Sequence, residues 1–191
     1  MGIVGGHDTA GKWPWQVALW VYSGQDDHWM LKCGGSLIHR QWVLTAAHYV
    51  SQKSLDLGIR VQVGQVRPFE SNIFQGDDIV PHSNDNPAEM GGNMTLVKLS
   101  PGGLELVKMV ALSTPGLTLK DQCWVTGWGD IRRLPEPYHL QEVAVPIVDD
   151  GCSRQYSKVG KAILKVMLCA GSSGRDTCQR DSGGPLFWKS S

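Results

Sequence analysis

Two short segments, Leu44-Thr45-Ala46-Ala47-His48 and Asp181-Ser182-Gly183-Gly184-Pro185-Leu186, carry most of the information in this 191-residue chain. The second places a serine hydroxyl in a glycine-rich turn, and the first supplies an imidazole. A serine becomes a useful nucleophile when an imidazole takes its proton and a third group orients that ring. Taken singly, the histidine would be read as structural and the serine as part of a turn. Taken together, the two segments point to nucleophilic chemistry.

The composition excludes several other classes of protein. Lys and Arg number 18 against 18 Asp and Glu, which does not match the basic excess of a nucleic-acid-binding protein. Hydrophobic residues make up 41% and charged residues 19%, a balance that disfavours disorder. The chain has no apolar run of about 18 residues, so no membrane-spanning segment is expected. The 23 glycines and 8 tryptophans are typical of a turn-rich β protein.

Alternating apolar and polar residues predict strands at 15–19, at 60–64 and over Gln141–Val148. In the last of these, Val143, Val145 and Ile147 lie on one face, as expected of a half-buried strand. Polar or proline-containing loops are predicted at 83–92 and 132–137. No long amphipathic helix is evident. Short strands separated by turn residues favour a barrel or sandwich of antiparallel strands.

Metal and cofactor chemistry are not expected. The chain has no Cys-x-x-Cys or His-x-x-x-His pair, and its six histidines are scattered. Cys33-Gly34-Gly35-Ser36 lacks the lysine and the spacing of a phosphate-binding loop.

Further segments extend the pattern to nearly the whole chain. They are Ile3-Val4-Gly5-Gly6, Trp13-Pro14-Trp15-Gln16-Val17, Cys33-Gly34-Gly35-Ser36-Leu37-Ile38 and Cys123-Trp124-Val125-Thr126-Gly127-Trp128-Gly129. With the histidine and serine segments, the chain resembles the trypsin-like (chymotrypsin-fold) serine proteases, and within them the mast-cell tryptases and implantation serine proteinases. The resemblance implies an all-β fold of two antiparallel six-stranded β-barrels, the second incomplete. It implies one protease domain over 3–191, with halves at roughly 3–110 and 120–191. The turn residues at 114–116 are the candidate connector between these halves.

The resemblance assigns His48 as general base and Ser182 as nucleophile. Asn93 stands where the family has the aspartate that orients the histidine. An amide lacks the negative charge and can favour the wrong imidazole tautomer, a change that lowers turnover about 10⁴-fold in a serine protease of this family. Asn93-Met94-Thr95 is also a glycosylation sequon, so Asn93 is either a damaged triad position or a possible glycan acceptor.

Two more positions bear on activity. Arg180 stands at the glycine that contributes a backbone N–H to the family's oxyanion hole together with Ser182. The backbone N–H is retained, but a side chain is placed where the substrate carbonyl must approach; losing one oxyanion donor costs about 10²–10³ in rate. Asp176 matches the acid at the base of the primary pocket, which implies a preference for Arg or Lys, although a solvated loop acid is the alternative.

Activation is expected to be compromised. In the family, cleavage frees the amine of the Ile-Val-Gly-Gly segment, which then pairs with the aspartate before the serine. The corresponding residues are Ile3 and Asp181, but Gly2 precedes Ile3, and a trypsin-like cut would not free that amine.

The disulfide pattern of the family accounts for the odd count of five cysteines. Cys152 and Cys169 match a family disulfide. Three cysteines fall outside disulfides because their partner positions are substituted or lie past residue 191: Cys33, Cys123 and Cys178. Losing a native disulfide costs about 2–5 kcal/mol, so reduced stability is expected. Domains of this kind often run to about 200–250 residues, so a shortened second barrel is expected too.

The sequence leaves three hypotheses for the function. The chain is a tryptase-like endopeptidase with severely impaired hydrolysis after Arg or Lys, a pseudoprotease that binds peptides or inhibitors, or a product that does not fold stably. Expected partners are peptide or protein substrates or inhibitors, without nucleic acid or membrane, and the oligomeric state stays open. The resemblance implies secretion, although the first residues show no signal peptide.

Overall fold

The computed structural model describes residues 3–9, 11–64, 72–83, 93–102, 107–112, 122–129, 139–148, 158 and 167–188. Within these ranges lie eleven strands: β1 His7–Asp8, β2 Gln16–Ser23, β3 His28–His39, β4 Trp42–Thr45, β5 Ile59–Val63, β6 Ile73–Pro81, β7 Thr95–Leu99, β8 Gln122–Gly127, β9 Gln141–Val148, β10 Cys169–Ala170 and β11 Leu186–Trp188. The three predicted strands correspond to β2, β5 and β9. The predicted loops at 83–92 and 132–137 and the connector at 114–116 lie outside the described residues, apart from Ser83.

Six of the strands form a closed antiparallel barrel in the order β2-β3-β4-β7-β6-β5, with β5 pairing back onto β2. The inward side chains alternate along each strand, as Val17, Leu19 and Val21 do in β2. Burying each Val or Leu contributes about 1.5–3 kcal/mol, so this core supplies much of the driving force for the first half.

The second half is an open sheet. Its described strands run β1-β9-β8-β11, and β10 pairs with the far end of β9. The face of β9 predicted to point inward, with Val143, Val145 and Ile147, is buried in the core of this sheet. The all-β fold, with one closed barrel and a second sheet that does not close within the described residues, is therefore confirmed.

Aromatic side chains fill the seam between the two halves. Trp13 lies 4.2 Å from Phe187 between ring centroids, and Trp20 and Trp128 are buried in the same cluster. Thr126 donates a buried hydrogen bond to the side-chain oxygen of Gln16 across this seam. The two halves are thus packed together where the candidate catalytic segments lie.

Helical structure in the described residues is short. A 3-10 turn, Ala47–Tyr49, follows β4, and helix α1, Gln52–Leu57, begins at Ser51, whose side chain caps it. Within those residues, no helix is long and apolar enough to cross a bilayer. The fold places His48 on the 3-10 turn directly after a barrel strand.

Candidate active site

The barrel brings His48 and Asn93 together although they are 45 residues apart in sequence. β4 and β7 are paired, with Thr45 opposite Thr95. His48 follows the end of β4, and Asn93 precedes the start of β7. Because antiparallel partners place one strand's end beside the other's start, the two side chains meet at the same edge of the barrel.

Both amide atoms of Asn93 lie within hydrogen-bond distance of the His48 ring. Asn93 Oδ1 accepts the backbone N–H of His48 at 3.0 Å. The amide nitrogen Nδ2 lies 2.7 Å from His48 Nδ1, closer than Oδ1 at 3.0 Å. Nδ2 can only donate, so the shorter contact forms with an unprotonated Nδ1, whereas Oδ1 has a second lone pair that accepts from a protonated Nδ1. In the first case the neutral imidazole carries its proton on Nε2, the wrong nitrogen for a general base.

Tyr49 lies against the candidate base. Its ring is 4.1 Å from the His48 ring between centroids, at 46°. The neighbouring aromatic ring restricts the positions open to the imidazole, and this contact was not anticipated from the sequence.

Ser182 lies in a tight turn that packs against the histidine segment. The turn is closed by Gly184 N–H donating to the Asp181 carbonyl at 3.0 Å, and Gly34 N–H donates to the Ser182 carbonyl at 2.9 Å. Gly183 has φ +82, and a Cβ there would collide with Thr45 and with the backbone of Ala46. Only glycine allows the serine turn to approach the segment that leads into His48.

Arg180 adopts a backbone conformation that favours glycine. Its φ is +76, in the left-handed region that costs a side-chain-bearing residue about 1–2 kcal/mol. The oxyanion position expected from the resemblance therefore has a glycine-type backbone and an arginine side chain.

Asp181 is buried, with 5% of its surface exposed. Oδ1 accepts the Gly129 N–H at 2.7 Å, and Oδ2 accepts the Cys178 N–H at 2.9 Å. Burial raises the pKa of Asp181 to about 6, although the two backbone donors oppose that rise. Each carboxylate oxygen thus has a backbone donor.

The N-terminal segment is docked against the Asp176 loop. Ile3 is buried among the side chains of β8 and β9. Val4 N–H donates to the Asp176 carbonyl at 2.9 Å, and Asp176 N–H donates to the Val4 carbonyl at 3.4 Å. The segment and the loop therefore form a small β-bridge.

Asp176 and Ser182 line the same cavity of about 250 Å³. The Asp176 side chain is exposed and accepts the Thr177 N–H at 2.7 Å. An acidic group and a candidate nucleophile thus share one concave site, whose walls include Val125, Val145 and Ala170.

A second, larger cavity of about 540 Å³ lies beside Asn93 and shares Gly183 and Gly184 with the first. Apolar side chains line much of it, among them Leu44, Met94 and Leu112. No local sequence pattern indicated this groove, because its wall comes from segments distant in the chain.

Cys33, Cys123 and Cys178 are thiols. Burial raises the pKa of Cys33 to about 11, outweighing a hydrogen bond with Thr45, so this thiol is neutral and unreactive near pH 7. The expected Cys152–Cys169 disulfide lies outside the described residues, because Cys152 is not among them.

Glu142 is a buried charged residue that the sequence did not single out. The alternation in β9 that marked Val143, Val145 and Ile147 as inward also places Glu142 on the opposite face. That face is covered by Lys12 and Trp13, which are about 130 residues away and gave no local signal.

The closed barrel, the open second sheet and the close packing of the serine turn against the segment that leads into His48 are typical of the two-barrel serine proteases. The chain matches the Trypsin family over residues 3–191. It is 41% identical over 208 residues to Serine protease 28 from Mus musculus, covering 100% of this chain and 76% of that protein. It is 42% identical over 205 residues to Tryptase from Mus musculus, covering 98% of this chain and 74% of that protein. The chain therefore belongs to the trypsin family of serine proteases and is similar to tryptases.

Proposed function

We propose that this chain is a tryptase-like endopeptidase homologue that accepts Arg or Lys side chains at Asp176 and hydrolyses peptide bonds slowly or not at all. The observation that carries the proposal is the 2.7 Å contact between Asn93 Nδ2 and His48 Nδ1. An amide nitrogen can only donate, so at this contact Asn93 donates an N–H to an unprotonated Nδ1.

The chemical consequence lies at the proton transfer. Peptide cleavage requires His48 to take the Ser182 hydroxyl proton as the oxygen attacks the carbonyl carbon. With the ring proton held on Nε2, that nitrogen has no lone pair free for the serine proton. An amide also gives no negative charge to stabilise the imidazolium that forms. The first effect favours an unproductive ground state and the second removes stabilisation from the transition state, so both raise the barrier and lower kcat.

Arg180 adds a second impairment under this proposal. Its backbone N–H is retained, but its side chain stands where the family has only a hydrogen atom, beside the path of the substrate carbonyl. Preorganised donors at this position normally contribute about 10²–10³ in rate. The two losses act on the same step and are not expected to multiply fully.

Recognition of basic side chains is supported by the shared cavity. Asp176 and Ser182 both line it, so a cationic side chain held at the acid would keep its scissile bond near the serine turn. This arrangement is consistent with the similarity to tryptases and does not depend on Asn93.

The test is restoration of the triad. We expect Asn93→Asp to raise labelling of Ser182 by a fluorophosphonate probe, and hydrolysis of an arginyl peptide amide, by up to about 10⁴-fold. Asn93→Asp with Arg180→Gly should be faster again, and Ser182→Ala should abolish labelling in every background. A wild-type rate in the range of active proteases, unchanged by Asn93→Asp, would refute the impairment.

A non-cleaving binder is the second candidate. The cavity shared by Asp176 and Ser182 favours it, because that cavity does not involve the altered His48–Asn93 pair. Binding of benzamidine that is lost in Asp176→Asn supports this candidate. A soluble protein with a cooperative thermal transition but no benzamidine binding would exclude it, and absence of any such transition would favour the non-folding product.

The proposal of a tryptase-like endopeptidase homologue includes a domain organisation and a cellular location. Residues 3–191 form one protease domain, with halves at roughly 3–110 and 120–191. The barrel ends with β7 and the second sheet resumes with β8, while β1 crosses from the first half to pair with β9. Family membership supports an extracellular location.

A further inference from the structure

Glu142 is a fully buried carboxylate that joins the second sheet to the N-terminal segment. It has no exposed surface, and it lies in β9 opposite His7 of β1. Oε1 lies 2.7 Å from Lys12 Nζ and 3.1 Å from His7 Nε2. Oε2 accepts a hydrogen bond from the indole N–H of Trp13. Three side chains of the N-terminal segment therefore converge on one acid.

A carboxylate in this position is held ionised by its partners. Burial alone raises the pKa of Glu142, but the hydrogen bonds from Lys12 and Trp13 outweigh it, so the pKa is lowered. A buried charge is strongly unfavourable once its partners are removed. The segment that supplies those partners is consequently tied to β9 as long as Glu142 is ionised.

The same segment reaches the primary pocket. Four residues before β1, Ile3 is inserted into the core of the second sheet, and Val4 forms the β-bridge with Asp176. Asp176 lines the cavity shared with Ser182. A continuous path of contacts therefore runs from Glu142 through β1 and Val4 to the pocket acid.

We propose that Glu142 is a positioning residue that anchors the N-terminal segment and so keeps the Asp176 pocket formed. The formed pocket is the site that would bind a basic side chain. The part that concerns ligand binding rests on the proposed function of Asp176, whereas the anchoring itself does not.

The anchoring is tested by hydrogen exchange in Glu142→Gln, which keeps the size of the side chain and removes its charge. The reporter is the Val4 amide, which donates to Asp176, and the reference is the amides of β2 in the barrel. We expect Val4 to exchange at least about tenfold faster, with β2 changed less than about twofold, because only the local opening is affected. Unchanged protection at Val4, or an equal increase at β2, overturns the proposal.

Asp8→Asn is the matched control. It removes a carboxylate from the same β1–β9 seam, but Asp8 is an exposed partner of His139 and Gln141. A change at Val4 as large as that in Glu142→Gln would show that any loss of charge in the seam suffices, and would overturn the specific role of Glu142. Should Glu142→Gln not fold, Lys12→Met removes one ion-pair partner from the half-exposed side and takes its place.

Benzamidine binding links the anchor to the pocket. We expect Glu142→Gln to raise the benzamidine Kd about tenfold or more at a temperature where both proteins are folded, and Asp8→Asn to leave it within about twofold. If the wild-type protein fails to bind benzamidine, the proposed role of Asp176 fails, and the Val4 exchange still decides the anchoring. If binding is equal in wild type and Glu142→Gln, the link from the anchor to the pocket is overturned.

Discussion

The closed barrel and the open second sheet differ in what they bury. Within the described residues, the buried polar side chains of the barrel are uncharged: Gln16, Ser36, Thr45, Gln62 and Thr95, with Cys33 a neutral thiol. The second half buries two carboxylates, Glu142 and Asp181. A barrel whose strands pair in a closed ring needs little beyond apolar packing. The open sheet is held to the N-terminal segment and the serine turn by charged and hydrogen-bonded groups.

Because only the second half buries carboxylates, the two halves are expected to respond differently to pH and to the loss of single contacts. Removing an ion from water is unfavourable unless partners compensate, so buried acids make the second half dependent on its contacts and on pH. Asp181 accepts the N–H groups of Gly129 and Cys178, and Glu142 binds Lys12 and Trp13 of the N-terminal segment. The barrel contributes His48 and Asn93 from the edge where β4 and β7 are paired, while the pocket side contains the buried titratable groups.

Truncating one buried valine in each half to alanine is expected to give the largest change in the free energy of unfolding. Val61 is fully buried in the closed barrel, and Val145 is 2% exposed in the open sheet but lines the cavity of about 250 Å³. We expect Val61→Ala to lower the free energy of unfolding by about 2–3 kcal/mol and Val145→Ala by about 1 kcal/mol, because a side chain bordering a void has fewer packing partners to lose.

Urea unfolding of both variants measures this comparison. Leu112→Ala, at a side chain that is 65% exposed, is the control and should stay within about 0.5 kcal/mol of wild type. A larger loss at Val145 than at Val61 would contradict the view that the barrel is the better-packed half.

The buried Asp181 predicts a pH dependence that the barrel lacks. Its pKa of about 6 in the folded protein exceeds the ordinary 3.8. A raised carboxyl pKa favours the folded state at low pH, and this contribution is lost as pH rises through 6. Between pH 4.5 and 7 we expect the free energy of unfolding to fall by about 2 kcal/mol on account of Asp181. The lowered pKa of Glu142 acts in the opposite sense, and only below about its ordinary 4.5.

The contribution of Asp181 is isolated by measuring the free energy of unfolding of wild type and Asp181→Asn between about pH 4.5 and pH 7. The difference in stability between the two proteins should change by about 2 kcal/mol from pH 4.5 to pH 7. A difference that stays constant across the window would mean that Asp181 titrates normally, with its burial compensated by its donors.

The sequence predicted those features of the two halves that depend on neighbouring residues, but not those that depend on residues distant in the chain. Alternation within β9 is local, and it correctly placed Val143, Val145 and Ile147 in the core. The partner of Glu142 could not be found in that way, because Lys12 is 130 residues distant and no periodicity links the two. The approach of Asn93 to His48 was expected only from the family resemblance, and the structure adds that both amide atoms lie within hydrogen-bond distance of His48 Nδ1.

Arg180 gives the smallest expected effect and tests the pocket side directly. Its φ of +76 is unfavourable for a residue with a Cβ, whereas the glycine of the family would adopt it freely, at some cost in unfolded-state entropy. We therefore expect Arg180→Gly to stabilise the protein by about 1 kcal/mol, which corresponds to a rise in Tm of about 2–4 °C.

Gly183→Ala is the opposing control. Gly183 has φ +82 and lies against Thr45 and Ala46, so a side chain there should destabilise the protein. If Arg180→Gly lowers Tm instead, the contacts of the arginine side chain outweigh the backbone strain, and Arg180 is a structural support of the serine turn.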